Sequence, residues 1–260
     1  MNTAYGESRS CAILGRRSAG GRGRVIRIER SFDFECGQSI GLSDDPLLAP
    51  RRYSVASGKD DPWFEVLYTV VEDGALTPRL DLLREGDSVR VYEPVGAFAD
   101  SGAGRVWWIA NGTGVAAFAS FFRSGIRQNR ALIHGVRTGA EAYFSDEFGA
   151  AADAAGAAAG GGFEYVVCAS QGAAPEMGAP AEGQTPAAFQ SPAEGQTPAP
   201  GRPPAVRGRL TDWLVAEGPK RFGAGDRFML CGSSGMVVDA REILIGLGYR
   251  HDDIDCEIYF

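Results

Sequence analysis

Near residue 104 the hydrophobic rhythm of the chain changes, and the two halves ask for different architectures. Before it, short strand-like runs follow one another with turns and little helical pattern between them. Arg24-Val-Ile-Arg-Ile28 intersperses charged with β-branched apolar side chains, as a half-buried strand does. Phe64 to Val71 and Ser88 to Tyr92 are rich in β-branched and aromatic residues and are bounded by Gly, Pro or Asp. Such a series predicts a closed antiparallel barrel or sandwich. After residue 104, strands at 105–110, 131–135, 163–169 and 227–231 alternate with helices at 115–125, about 141–155, 210–217 and 236–247, and a last strand closes at Tyr259-Phe260. Apolar strands buried on both faces with helices between them predict a parallel α/β sheet. The expected organisation is therefore a two-domain α+β protein, divided into 1–102 and 103–260.

Residues 171–206 break the second pattern. The octapeptide Pro-Ala-Glu-Gly-Gln-Thr-Pro-Ala occurs at 180–187 and again at 192–199, a tandem repeat of period twelve. This composition buries too little apolar area to offset its ordering entropy, and two copies are too few for a solenoid. It reads as a disordered surface insertion.

Composition removes several classes of function. With 26 basic and 33 acidic residues the net charge is −7, so a general nucleic-acid binder is not expected. Five cysteines (Cys11, Cys36, Cys168, Cys231, Cys256) are scattered with no C-x-x-C pair, which argues against a disulfide framework, a structural zinc site or a plant-type iron–sulfur cluster. No metal is expected. The longest apolar stretch, Val106 to Phe122, is interrupted by Asn111-Gly-Thr-Gly114 and is too short and polar to span a bilayer. The first thirty residues hold seven Arg and two Glu with no apolar core for a secretion signal. The expectation is a soluble, reduced, cytoplasmic protein with no membrane association.

Four constellations could carry chemistry. Gly112-Thr113-Gly114 lies between a strand and a helix, where glycines let a phosphate approach the backbone and the helix start offers free N–H groups. Ala117 stands where a third fingerprint glycine would be, so the turn is also compatible with a plain tight connection. Arg51-Arg52-Tyr53-Ser54 offers guanidinium for pyrophosphate, a phenol ring for a flat ligand and a hydroxyl for a ring nitrogen; the alternative is a solvated arginine pair beside a half-buried tyrosine. Leu230-Cys231-Gly-Ser233-Ser-Gly-Met236 is a strand end opening into a helix, where open α/β sheets gather ligands, although a free cysteine is also a small buried hydrophobe. Glu257-Ile-Tyr259-Phe260 alternates like a strand and presents two large aromatics, for docking on something flat or for packing on the domain surface.

In this order, R-x-Y-S, G-T-G, C-G-x-x-x-M and E-x-Y resemble the ferredoxin–NADP(+) reductase family, bacterial type and FAD-dependent, along the chain from about Arg24. Phe34-Glu-Cys-Gly37-Gln38, Gly74-Ala-Leu-Thr77-Pro-Arg-Leu80, Glu85-Gly-Asp87 and Pro94-Val-Gly96-Ala-Phe98 add to the likeness. The resemblance implies an N-terminal antiparallel Greek-key β-barrel for FAD and a C-terminal parallel-sheet domain for NADP(H). It implies FAD contacts from Arg51, Arg52, Tyr53, Ser54, Ala75, Leu76, Thr77, Thr113, Tyr259 and Phe260: Arg51 on the pyrophosphate, Tyr53 and Tyr259 against the ring, Ser54 near N5. Cys231 would lie beside the nicotinamide and Glu257 near the reaction centre, the two forming the catalytic set with Ser54 and Tyr259. Gly112, Gly114, Arg137, Ser170, Arg209, Ser233 and Met236 would hold NADP, with Arg137 and Arg209 at the 2′-phosphate; Gln171 stands where many relatives carry an arginine.

The implied activity is electron transfer between NADP(H) and ferredoxin or flavodoxin by a monomeric oxidoreductase. The alternatives are an NAD(P)H-dependent flavin reductase, a reductase component serving an oxygenase, and a non-catalytic flavin electron-transfer subunit. The Arg-rich start of the chain, with a net charge of +5, could help dock an acidic carrier but reads first as a solvated basic tail.

Overall fold

The structure, a computed structural model, describes residues 5–45, 48–100, 104–156, 162–171 and 206–259. Its first half is a six-stranded antiparallel sheet made of β1 (Ser8–Gly20), β2 (Gly23–Glu29), β3 (Ser39–Ser43), β4 (Arg51–Ser54), β5 (Trp63–Thr69) and β6 (Ser88–Val95), in the order β4-β3-β6-β1-β2-β5. The two edge strands then meet. Val55, just past β4, bridges Val66, and the Ala56 N–H donates to the Glu65 carbonyl at 2.7 Å. The sheet thereby closes into a barrel and abolishes its own edges.

β2 and β5 bury apolar side chains on both faces, and each face has its own partner. Ile26, Phe64, Val66 and Tyr68 point into the barrel core with Ile13, Ile40 and Val91. Val25 and Leu67 point out of the barrel and pack with Trp108, Phe118 and Phe122 of the second half.

The Arg-rich beginning is not a tail. It forms β1, thirteen residues in the middle of the sheet between β6 and β2. Several of its charges are met by carboxylates distant in sequence: Arg16 and Arg24 by Asp81 at 3.3 and 3.1 Å, Arg27 by Glu65 at 2.9 Å. Counting charge within a thirty-residue window could not find those partners.

The second half is a parallel sheet of β7 (Val106–Asn111), β8 (Arg130–Val136), β9 (Glu164–Ala169), β10 (Val206–Arg207), β11 (Arg227–Ser233) and β12 (Ile254–Tyr259), ordered β10-β9-β8-β7-β11-β12. The chain steps outward from β7 to β10, then returns to the other side of β7. The order reverses between β7 and β11, and the crevice beyond their carboxyl ends is where sheets of this kind take ligands. Among the described residues four helices cover the sheet: α2 (Val115–Arg123), α3 (Ser145–Gly156), α4 (Leu210–Arg221) and α5 (Ser234–Gly246); a short α1 (Thr77–Leu80) belongs to the barrel half. α3 starts at Ser145 rather than near Glu141, because Gly139–Glu141 forms its own 3-10 turn and Phe144 takes a left-handed φ of 59°. The expected boundary at 102/103 and nearly all of 171–206 lie outside the described residues.

The halves are locked by a buried ion cluster. Glu65 on β5 is 1% exposed and is met by Arg27 at 2.9 Å, Arg17 at 3.8 Å and, from α2, Arg123 at 2.8 Å. Arg123 also pairs with Glu147 of α3 at 2.7 Å. Burial alone would push the Glu65 carboxyl up, but Arg123, Arg17 and Arg27 outweigh it and hold it below the usual range. Around the cluster, one face of α2 is hydrogen-bonded to the segment after β4: Ser120 to the Ser57 carbonyl at 2.8 Å, Arg123 to the Ala56 carbonyl at 2.7 Å, and Ser124 from the Lys59 N–H at 2.9 Å. Glu65→Gln leaves three guanidiniums facing a neutral amide, so urea unfolding should show a loss of about 3–5 kcal/mol. A loss below 1 kcal/mol would mean that the cluster does not hold the halves together.

Candidate functional site

The crevice at the reversal point is built from two strand ends. After β7 the chain makes one 3-10 turn, Gly112–Gly114, and enters α2. Gly114 has to lack a side chain, since a Cβ there would overlap the Cys231 carbonyl of β11. Asn111 clamps the two ends: its Nδ2 donates to Ser233 Oγ and its Oδ1 accepts the Ser233 N–H, both at 2.9 Å.

Behind the turn lies His134 of β8, fully buried, with Nε2 3.0 Å from the Gly112 carbonyl and Nδ1 3.4 Å from the Tyr165 hydroxyl. A carbonyl can only accept, so Nε2 carries the proton and Nδ1 accepts from Tyr165. Burial pushes His134 down to about 4, and the ring is neutral at physiological pH.

The parallel register sets Cys231 opposite Glu257 and Ser233 opposite Tyr259. Cys231 is fully buried, 3.9 Å from Glu257 Oε2, and burial pushes its thiol well above the ordinary range. Burial likewise raises Glu257 to about 7, with the Cys231 thiol hydrogen bond opposing it. Tyr259 reaches across the seam between the halves, where its hydroxyl is hydrogen-bonded to Ser54 of β4. The four residues expected to form the reacting set thus converge, although Ser54 and Tyr259 are 205 positions apart.

On the barrel side, the Tyr53 ring lies edge-on to Tyr68 at 6.5 Å, and burial raises its phenol to about 12. Arg51 is exposed, and Arg52 donates to the Glu93 carbonyl at 3.3 Å. Ala75 is exposed, the Leu76 side chain belongs to the barrel core, and Thr77 Oγ1 accepts the Val71 N–H at 2.9 Å. Arg79 of α1 reaches Asp44 beside β3 at 3.2 Å. Tyr53 packs against the barrel core to which Leu76 belongs.

A cleft of about 550 Å³ opens from the crevice. Gly112, Thr113, Arg137, Ser170 and Arg209 line it, joined by Ser233, Met236 and Tyr259. Gly114, Cys231 and Glu257 lie behind its wall, and Phe260 is outside the described residues. Arg137 is exposed and 3.8 Å from Glu141; Arg209 caps α4, its N–H bonded to Asp212 at 3.1 Å. Sequence reading missed Asn111, Tyr143, Glu141 and Asp239, which also line the cleft. For Asn111 the signal was there, a polar residue ending an apolar strand.

A barrel joined to a parallel sheet whose strand order reverses at the crevice is an architecture shared with solved proteins. Over 97% of this chain and 99% of the other, the fold superimposes on a ferredoxin NADP+ reductase from Neisseria gonorrhoeae solved with bound FAD and NADP, with a TM-score of 0.77 at 20% identity. In sequence the chain is 36% identical over 117 residues to a ferredoxin–NADP reductase of Azotobacter vinelandii, 41% of this chain and 45% of that one. It is 30% identical over 136 residues to the reductase component of a phenol 2-monooxygenase from a Pseudomonas species, 49% of this chain and 38% of that one. No family model matches. The chain spans about half the length of the curated relatives it matches. In sequence over about half of the relatives' length, and in fold over nearly all of this chain, it is similar to proteins named ferredoxin–NADP reductase.

Because His134 is held neutral, the folded state binds fewer protons than the unfolded chain between about pH 6.5 and 4. Stability should be full above that window and fall through it, by about 3 kcal/mol at most. Urea midpoints against pH should show this fall in the natural protein and a shallower one in His134→Gln. Parallel curves would remove His134 as the cause.

Proposed function

We propose that the protein is an FAD-dependent oxidoreductase that moves electrons between NADP(H) and a small one-electron carrier, ferredoxin or flavodoxin. What carries the reading is that Tyr259, hydrogen-bonded to Ser54 and two residues along β12 from the Cys231–Glu257 pair, lines the same cleft as Arg137, Ser170 and Arg209. The residues fit a planar ring: two tyrosines, Tyr53 and Tyr259, come from opposite sides of the seam.

FAD would supply the exchange between hydride and single-electron chemistry. Arg51 and the exposed backbone near Ala75 would take its phosphates. Ser54 offers a hydroxyl that can donate or accept at a ring nitrogen. The Cys231 thiol stays neutral and keeps that wall of the site weakly polar. Glu257 at about 7 can hold or give up a proton at neutral pH, the range in which an acid–base group works best. Tyr259 covers the seam and would have to swing aside for a nicotinamide, releasing its hydrogen bond to Ser54.

The purified protein should be yellow, contain stoichiometric FAD, and bleach anaerobically with NADPH faster than with NADH. Reduced protein should then pass electrons to ferredoxin or flavodoxin. A colourless protein that takes up no FAD would end the proposal. Likeness to the monooxygenase reductase component favours one second reading, a reductase serving an oxygenase; NADH preference with indifference to both carriers would select it. In the pH profile of the reductive half-reaction, Glu257→Gln should erase a limb near 7, and an unchanged profile would take Glu257 out of the proton path.

A further inference from the structure

The charged groups lining the cleft cancel. Arg137 and Arg209 bring two positive charges, Glu141 and Asp239 two negative ones, and Arg137 is already 3.8 Å from Glu141. A phosphate monoester carries about −1.5 to −2 at neutral pH, so a neutral lining has little to hold it with. The missing cation is present, on the other half of the molecule. The β1–β2 hairpin turns through Gly20-Gly21-Arg22-Gly23, and its tip lies on the 3-10 turn that carries Glu141. A Cβ on Gly21 would come within 2.9 Å of Glu141 Cγ, and one on Gly23 would overlap the Tyr143 ring. Gly23 is also the β2 partner of Thr69, and both Thr69 and Tyr143 line the cleft.

Arg22 therefore stands at the rim where the barrel half meets the cleft. It is exposed, and among the described residues it forms no ion pair. Its neighbour Arg24, by contrast, is engaged by Asp81 at 3.1 Å. The charges of Arg137, Arg22 and Arg24 all bear on the Tyr143 phenol and oppose the rise that burial and Glu141 impose on it.

Resting on the reading of the cleft as a nucleotide site, we propose that Arg22 is a specificity-determining residue supplied by the barrel half. It completes, with Arg137 and Arg209, a three-guanidinium site for a phosphate monoester on the nucleotide's sugar. Guanidinium pairs with phosphate through two parallel N–H donors, which suits an exposed rim better than a point charge. The hairpin needs no closure to act, because its glycines already let it rest against the turn of residues 139–141.

The test is calorimetric titration of the FAD-loaded protein at low salt with adenosine 2′,5′-bisphosphate and with 5′-AMP. The natural protein should prefer the bisphosphate. Arg22→Gln should lose about tenfold in bisphosphate affinity, with 5′-AMP little changed, and Arg22→Lys should recover part of the loss. Arg137→Gln serves as the reference within the cleft. If it loses bisphosphate affinity while Arg22→Gln binds like the natural protein, the role of Arg22 is refuted and the nucleotide reading stands. If the natural protein does not prefer the bisphosphate, the sugar-phosphate site itself is refuted, and Arg22 with it.

Discussion

A carboxylate with almost no access to water sets the geometry of this molecule. Glu65 cannot be left alone in the seam, because an unpaired buried charge costs several kcal/mol, and its partners come from both halves. Arg17 and Arg27 approach from the barrel and Arg123 from α2, so satisfying Glu65 requires the halves to meet in one orientation. The hydrogen bonds of Ser120 and Ser124 to the segment after β4 lie on the same helical face, and they fix the rotation of α2 about its axis. Apolar contact among Val25, Leu67 and Phe118 supplies attraction without direction; the ion cluster supplies the direction.

That orientation is what brings β4 to β12. The Ser54–Tyr259 hydrogen bond and the place of Thr69 in the cleft wall both span the seam and depend on that orientation. Within the second half, positioning is done by backbone. Gly114 admits the Cys231 carbonyl, Asn111 ties the ends of β7 and β11, and neutral His134 pins the Gly112 carbonyl from behind. The side chains facing the cleft are thus mounted on a floor with few ways to move.

Much of this was legible in the order of residues. The change of rhythm near 104 separated the two sheets, and the strand-to-turn-to-helix runs at Gly112 and Cys231 marked the crevice, since both depend on neighbours close in sequence. What escaped reading was long-range. Charges in the first thirty residues looked like a tail because Asp81 and Glu65, which satisfy them, come fifty residues later or arrive on another strand. Glu65 itself was visible inside an apolar strand, but a single buried acid does not name its partners. Tyr143 and Glu141 were hidden for another reason: the left-handed Phe144 and the separate turn at Gly139–Glu141 lift them from an expected helix to the cleft's rim.

The two-sided burial of β2 and β5 has a further meaning for how the halves depend on each other. Severed from its companion, the barrel would present Val25, Leu67 and Ala56 as an oily flank and strand the Glu65 carboxylate on its margin. It would be a sticky fragment rather than a free-standing module, and carriers of this barrel could exchange their parallel-sheet halves only by inheriting a matching arginine on the docking helix.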